Sequence, residues 1–321
     1  MRFQQLKSLL VLVDCGFNVS AAARSMHLSQ SVVSTHLKQL EEELGAAIVA
    51  RCGKRLIGPT PIGQDTIALA RAILSQVSQL RRVRDDHYSQ STGNLTIAVT
   101  FAQSHHVLPR ILKRFMREFP AVSVSVRQGG PREIVKLVQL GEADLCISTE
   151  VINDYPELTM LLCYQWNRGV VVPEGHPLAK GTRLTLERIA RYRIITYDAT
   201  VDTNLKIRRA FHEKGLLPNI AVTAVDAYTI KTYVGLGLGV GIVANIAFDA
   251  RADRGLKLID ASHLFPASDF GIGVRRSNYL RGFAYRFIEL YAPQWTRDRV
   301  NRALVPVESS PPEHSASARR R

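Results

Sequence analysis

The side chains of this sequence best arranged to do chemistry form hydrogen bonds rather than covalent bonds. Ser29-Gln30-Ser31, Ser34-Thr35 and Lys38 fall in a segment where Val33, Leu37, Leu40 and Leu44 recur every three or four positions. That spacing predicts a helix with a buried stripe, and sets Gln30, Ser34 and Lys38 along another face with Ser31 and Thr35 beside them. Ser29 is placed to cap it. Small donors and acceptors in the N-terminal half of a helix suit base edges in a major groove. Gln30, Ser31, Ser34 and Thr35 are therefore assigned to bases and nearby phosphates, and Lys38 to phosphate. A solvated face on an ordinary helix pair has the same composition, so the face alone leaves both readings open.

Catalytic and metal chemistry find little support. Cys15, Cys52, Cys146 and Cys163 form no C-x-x-C pair, which argues against a zinc or redox site and fits a reducing cytoplasm. His105 and His106 are adjacent, so both rings cannot face one metal from a single helix. Cys163 has no motif linking it to a base, and there is no G-x-S-x-G elbow or paired-carboxylate arrangement. In the glycine run Gly235–Gly241, only Gly239-Val240-Gly241-Ile242-Val243-Ala244 fits a dinucleotide fingerprint, in its looser form. It follows a predicted helix and leads into a strand, the reverse of the required order, so a tight helix-to-strand turn is the better reading. No catalytic residue, metal or cofactor is expected.

The elements that must position the polar face come next. Ser20 is placed to cap a helix over Ala21–Met26, whose three alanines allow close approach of a neighbour; a turn at His27-Leu28 leads to the second helix, ending near Glu43. Ile62, Thr66, Leu69, Ile73, Val77 and Leu80 give residues 59–88 the narrow stripe of a paired helix. Ser89–Gly93 reads as a linker. Beyond it the rhythm becomes that of an α/β domain with largely parallel sheets: short β-branched runs at Leu95–Val99, Val122–Val126, Leu145–Ser148, Gly169–Val172 and Arg193–Thr196, with helical patterns at Val107–Phe119 and Arg132–Leu140. Two halves, 93–162 and 163–267, with a return near Phe270–Val274, make two lobes and a cleft. Residues 307–321, rich in Ser, Pro and Arg, read as disordered.

Bulk numbers agree with an ordinary soluble globular protein. The 321 residues carry a net charge of +14, but residues 1–90 hold 11 Lys/Arg against 7 Asp/Glu and residues 91–306 hold 28 against 19. The excess is not concentrated on the predicted DNA contacts, so basicity supports a nucleic-acid partner only mildly. No run of 18 apolar residues and no export signal is visible, so no membrane is expected. A stand-alone solute-binding protein should show that signal and no helix-turn-helix.

Ser29-Gln30, Val33-Ser34, Leu37, Leu40-Glu41 and Glu43-Leu44-Gly45, with Arg51 and Thr60-Pro61-Ile62-Gly63, resemble the LysR-type transcriptional regulators. The resemblance implies an α+β multidomain chain: a winged helix-turn-helix (1–58), a dimerising linker helix (59–88) and a two-lobed α/β effector domain like a periplasmic binding protein (89–306, lobe I 93–162 and 268–306, lobe II 163–267). Ser31 stands where that family usually has proline, His36 where glutamine is common and Val49 where phenylalanine is usual; Ser31 and His36 are expected to alter the preferred DNA sequence. Thr149-Glu150, Cys163–Arg168, Ile230–Val234, Gly235–Gly241 and Arg275-Arg276-Ser277 look like the CysB branch, which includes Cbl and controls sulfur assimilation.

That likeness implies double-stranded promoter DNA and RNA polymerase as partners, a homodimer or homotetramer, and a small effector of the sulfate, thiosulfate, adenosine phosphosulfate or acetylserine class; a regulator with a non-sulfur effector is the alternative. It places the effector site at Thr100, Ala102, Gln103, Thr149 and Trp166 and around Asp202 and Thr203. Neutral donors at a strand-to-helix junction can hold an ionised sulfate. Asp202 stands where the pattern expects a hydroxyl donor, and a carboxylate repels anions. The expectation is an amino-bearing or hydroxylated effector, or a donor supplied by Thr200 or Thr203.

Overall fold

The computed structural model describes residues 1–305 except 54, 89–90, 181–182 and 199–201, with side chains described for all of these but 81–82, 85–88, 150–151 and 202–203. The expected tail therefore lies outside the described residues, as does part of the linker before Gly93.

Three helices, α1 (Phe3–Asp14), α2 (Val19–Ser25) and α3 (Gln30–Leu44), bury Leu6, Leu9, Leu12, Val33, Leu37 and Leu40 against one another. Ala22 and Ala23 are buried between them, as close helix approach requires. Two expectations need correcting. Asn18, not Ser20, caps α2: its side chain accepts the Ala21 N–H at 3.0 Å, directly after the left-handed turn at Phe17 (φ 62). Leu44 is exposed rather than buried, because the chain turns away at left-handed Gly45 (φ 67).

The hairpin of β1 (Val49–Cys52) and β2 (Arg55–Pro59) forms a wing after α3. Glu41 ties it down. One carboxylate oxygen accepts from the Ile48 and Val49 N–H groups at 3.0 and 3.2 Å, and the other pairs with Arg51 at 2.6 Å. Thr60 joins the wing to helix α4 (Pro61–Tyr88): its hydroxyl donates to the Ala47 carbonyl at 2.7 Å and accepts the Gly63 N–H at 3.0 Å. A Cβ at position 63 would run into the Ile48 carbonyl, which explains the glycine. Along α4, Ile62, Leu69, Ile73 and Leu80 are exposed.

The remainder builds two five-stranded sheets. The first takes β3 (Gly93–Thr100), β4 (Val122–Gly129), β5 (Leu145–Thr149), β6 (Leu158–Trp166) and the returning β12 (Ser268–Arg275), in the order β4-β3-β5-β12-β6. The second takes β7 (Arg168–Pro173), β8 (Ile194–Tyr197), β9 (Ile220–Ala224), β10 (Val240–Ala244) and β11 (Leu256–Asp260), in the order β11-β7-β10-β8-β9. Helices α5 (Phe101–His106), α6 (Leu108–Glu118), α7 (Pro131–Gln139), α11 (Gly282–Tyr291) and α12 (Arg297–Leu304) go with the first lobe; α8 (Leu186–Ile189), α9 (Asp202–Glu213) and α10 (Ala227–Gly235) go with the second.

The sheets are mixed, not largely parallel. Pairs β3–β4, β3–β5, β8–β9 and β8–β10 are parallel. Pairs β5–β12, β6–β12, β7–β10 and β7–β11 are antiparallel. The antiparallel pairs involve the strands that carry the chain between lobes and back, so each lobe needs them to close its sheet. The chain also leaves the first sheet later than the expected 162/163 division, because β6 stays paired with β12 up to Trp166 and only Asn167 separates it from β7.

Candidate functional site

On α3 the structure brings together every residue assigned to DNA. Ser29 caps the helix, its hydroxyl accepting the Val32 N–H at 3.3 Å. Ser29, Gln30, Ser31, Ser34, Thr35 and Lys38 are all exposed, while Val33, Leu37 and Leu40 face the core. The Ser29 and Ser31 hydroxyls lie 2.8 Å apart. Lys38 meets Glu42 one turn on at 3.5 Å; with both side chains largely in solvent, such a pair contributes little and leaves the ammonium available. His36 departs from expectation. It is half-buried, its Nδ1 hydrogen-bonded to the Ser8 hydroxyl of α1 at 2.7 Å, so it braces the helix pair and does not join the exposed face.

Between the lobes lies a cavity of about 60 Å³. The first lobe supplies Thr100, Phe101 and Ala102 where β3 meets α5, Gly129–Pro131 where β4 meets α7, Thr149, Trp166 and Phe270. The second supplies Tyr197, Val225–Ala227, Ala244 and Ile246. The parallel strands β3, β4, β5, β8, β9 and β10 all point their carboxyl ends at it, the usual place for a ligand in open α/β sheets.

Its polar groups are mostly donors in want of an acceptor. The Thr100 and Thr149 hydroxyls and the Trp166 indole nitrogen are buried with no hydrogen-bond partner within the protein. Buried polar groups are nearly always paired, so three around one cavity suit a ligand that brings acceptors. Of the expected residues, Thr100, Ala102, Thr149 and Trp166 line the cavity. Gln103 does not; it is fully buried, its amide oxygen accepting from the Tyr291 hydroxyl at 2.7 Å and its amide nitrogen unpartnered. The side chains of Asp202 and Thr203, and all of Thr200, lie outside the described residues.

Two lining groups had no signal in the sequence. The Tyr197 hydroxyl accepts the Ala244 N–H at 3.3 Å. Burial pushes its pKa up to about 12, with the Ala244 N–H and Arg168 opposing, so it remains a protonated donor. Asp226 puts a carboxylate in the wall, but caps α10: its two oxygens accept from the Thr229 N–H at 2.8 Å and hydroxyl at 2.9 Å. Neither residue sits in a recognisable motif; only the end of β8 and the capped start of α10 mark them.

Comparison with known proteins matches residues 3–64 to the bacterial regulatory helix-turn-helix protein, lysR family, and residues 89–296 to the LysR substrate binding domain. The chain belongs to the LysR family of transcriptional regulators. It is 43% identical to the HTH-type transcriptional regulator SsuR of Burkholderia cenocepacia over 91% of this chain and 95% of that one. It is 41% identical to CysB of the same species, over 95% and 97%. It also resembles the crystal structure of the cofactor-binding domain of the Cbl transcriptional regulator, with a TM-score of 0.64, 37% identity and coverage of 67% of this chain and 94% of that one.

This LysR-type regulator is thus CysB-like, binds DNA and is not an enzyme, in line with its relatives. In the effector domain, burial pushes the Cys163 and Cys146 thiols up to about 12, far from a reactive thiolate. No helix among the described residues is long and apolar enough to cross a membrane.

Proposed function

We propose that this regulator controls sulfur assimilation or organosulfur utilisation genes by sensing a small sulfur oxyanion, or a metabolite presenting the same acceptors, in the cavity between its lobes. The unpartnered donors Thr100, Thr149 and Trp166 carry the reading. With Tyr197 they offer hydrogen bonds to a ligand rich in acceptors, and neutral donors hold an anion without forming an ion pair. A water needs roughly 10–15 Å³ of such space, so about 60 Å³ takes a few waters or one ion of sulfate or thiosulfate size. Adenosine phosphosulfate requires the lobes to open. Asp226 in the wall favours an amino-bearing ligand as the second candidate, which keeps the acetylserines in view.

DNA is read by α3, with Gln30, Ser31, Ser34 and Thr35 at bases and nearby phosphates, Ser29 holding the helix start, and Lys38 at phosphate. The apolar stripe of α4 pairs two chains, the effector domains join dimers into a tetramer, and ligand-dependent lobe closure changes the spacing of the reading helices and hence contact with RNA polymerase. A ligand can do this only through different affinities for the two arrangements.

The test is thermal unfolding of the full chain against sulfate, thiosulfate, adenosine phosphosulfate, O-acetylserine, N-acetylserine and alkanesulfonates. Saturable stabilisation by one of them, abolished by Thr100→Val with Thr149→Val, is the expected result. A flat response from a folded, DNA-binding chain leaves a LysR regulator with a non-sulfur effector.

A further inference from the structure

We infer that Arg168 is a positioning residue for the cleft: it fixes the Trp166 indole and ties together the two segments that join the lobes. The inference rests on the cleft reading above. Trp166 ends β6 in the first lobe and Arg168 begins β7 in the second, with only Asn167 between them. The Arg168 guanidinium folds back over the Trp166 ring, its Cζ 4.8 Å from the ring centroid. One guanidinium nitrogen donates to the Pro266 carbonyl at 2.6 Å and another to the Ser268 hydroxyl at 3.0 Å. Pro266 to Ser268 is the stretch by which the chain re-enters the first lobe.

These contacts close a loop. Ser268 is the register partner of Trp166 across β12 and β6, so the group that anchors Arg168 sits beside the residue Arg168 covers. The same hydroxyl accepts from Lys206 Nζ of α9 at 3.0 Å, which brings in the second lobe. Arg168 is fully buried, and Trp166 is 4% exposed. A flat guanidinium stacks face-on against an indole while its rigid fork holds two acceptors in fixed directions; a lysine ammonium, a compact point charge on a flexible stem, does not reproduce that planar geometry. Loss of the fork frees the indole to leave the rotamer that lines the cavity, and loosens the two crossover segments against each other.

Trp166 and Trp295 are the chain's two tryptophans, so Trp295→Phe leaves Trp166 as a sole fluorescent reporter. In that background Arg168→Met is expected to shift Trp166 emission to the red and weaken thiosulfate binding at least tenfold. Arg168→Lys, which keeps the charge, is expected to lose nearly as much. Ser268→Ala removes one anchor at almost no cost in volume and should give a smaller shift in the same direction; it decides the matter if the Arg168 variants do not fold. Unchanged emission and thiosulfate affinity in the folded variants, or full rescue by lysine, overturns the proposal. If the Trp295→Phe parent binds no thiosulfate, thiosulfate is not the effector, and the emission of the variants still decides whether Arg168 holds Trp166.

Discussion

Ser75 of α4 accepts a hydrogen bond from the Arg275 guanidinium of β12 at 2.9 Å, across 200 residues of sequence. One turn further on, Gln79 Oε1 accepts the Tyr279 N–H at 3.0 Å. One turn back, Arg71 bridges Asp14 of α1 at 2.8 Å and Glu142 of the first lobe at 3.2 Å. Positions 71, 75 and 79 share one helix face. That face docks α4 on its own effector lobe, while Ile62, Leu69, Ile73 and Leu80 remain exposed. Gly141 fits the contact too: a Cβ there would run into the Ser75 hydroxyl.

Arg71 thus touches the DNA-binding domain and the effector domain from the helix between them. Its partners are about half exposed, so Arg71→Ala should cost less than about 1 kcal/mol of stability. Its expected effect is on coupling: the ratio of DNA affinities with and without effector should shrink toward one. Duplex titrations followed by anisotropy measure that ratio, and an unchanged ratio would show that the bridge carries no signal.

The face of α3 divides by chemistry. Lys38→Ala should weaken binding to all duplexes alike and lower the slope of log affinity against log salt by about one. Gln30→Ala and Ser34→Ala should change which duplex is preferred and leave the slope alone. Equal, sequence-independent losses from all three would contradict the assignment.

The order of elements was legible because each rests on local pattern: the three- and four-residue spacing on α3 and α4, and β-branched runs for β3, β5, β7 and β8. The misses were non-local. Whether Asn18 or Ser20 caps α2 depends on where the preceding turn ends. The antiparallel half of each sheet depends on strands that cross between lobes, and β6 has too even a mixture of residues to stand out. In the cleft, Thr100, Ala102, Thr149 and Trp166 were found through family motifs. Tyr197 and Asp226 reach it only because β8 and β9 lie side by side, and Gln103 is turned away by Tyr291.

Tyr197 gives a test inside the cleft. Its hydroxyl accepts from Ala244 and keeps its proton for a ligand. Tyr197→Phe removes that donor and should weaken effector binding about tenfold, on the order of 1.4 kcal/mol for one hydrogen bond to a charged group. Because its pKa is pushed up to about 12, ionisation of Tyr197 should not alter binding between pH 7 and 9. Calorimetric titration reads both.

His106 should make stability pH-dependent. Burial, then Lys231 and His105, lower its pKa below 6.5, with Asp253 and Asp249 opposing. The folded chain therefore holds fewer protons than the unfolded chain between the lowered value and about 6.5. Stability from this group is complete above about pH 6.5, falls as pH drops through that value, and levels off below the folded pKa. His106→Gln should flatten this part of the curve. An unchanged slope in denaturant titrations from pH 7.5 to 5 would assign it to other groups, among them His176, which burial also lowers.

The exposed stripe of α4 makes the last test. Leu69 is 65% and Leu80 73% exposed in the single chain, on a helix of 28 residues. Fully burying a leucine contributes roughly 1.5–3 kcal/mol, so a row of them left in water along one helix calls for a second helix. A second copy of α4 presents the same stripe and can pair with it symmetrically. Leu69→Glu with Leu80→Glu puts like charges into that seam and should give monomers in sedimentation velocity. Neither residue belongs to the core clusters, so folding should persist. Affinity for a two-half-site duplex should then fall to that of a single half-site. A double variant that remains dimeric would move the interface off this stripe.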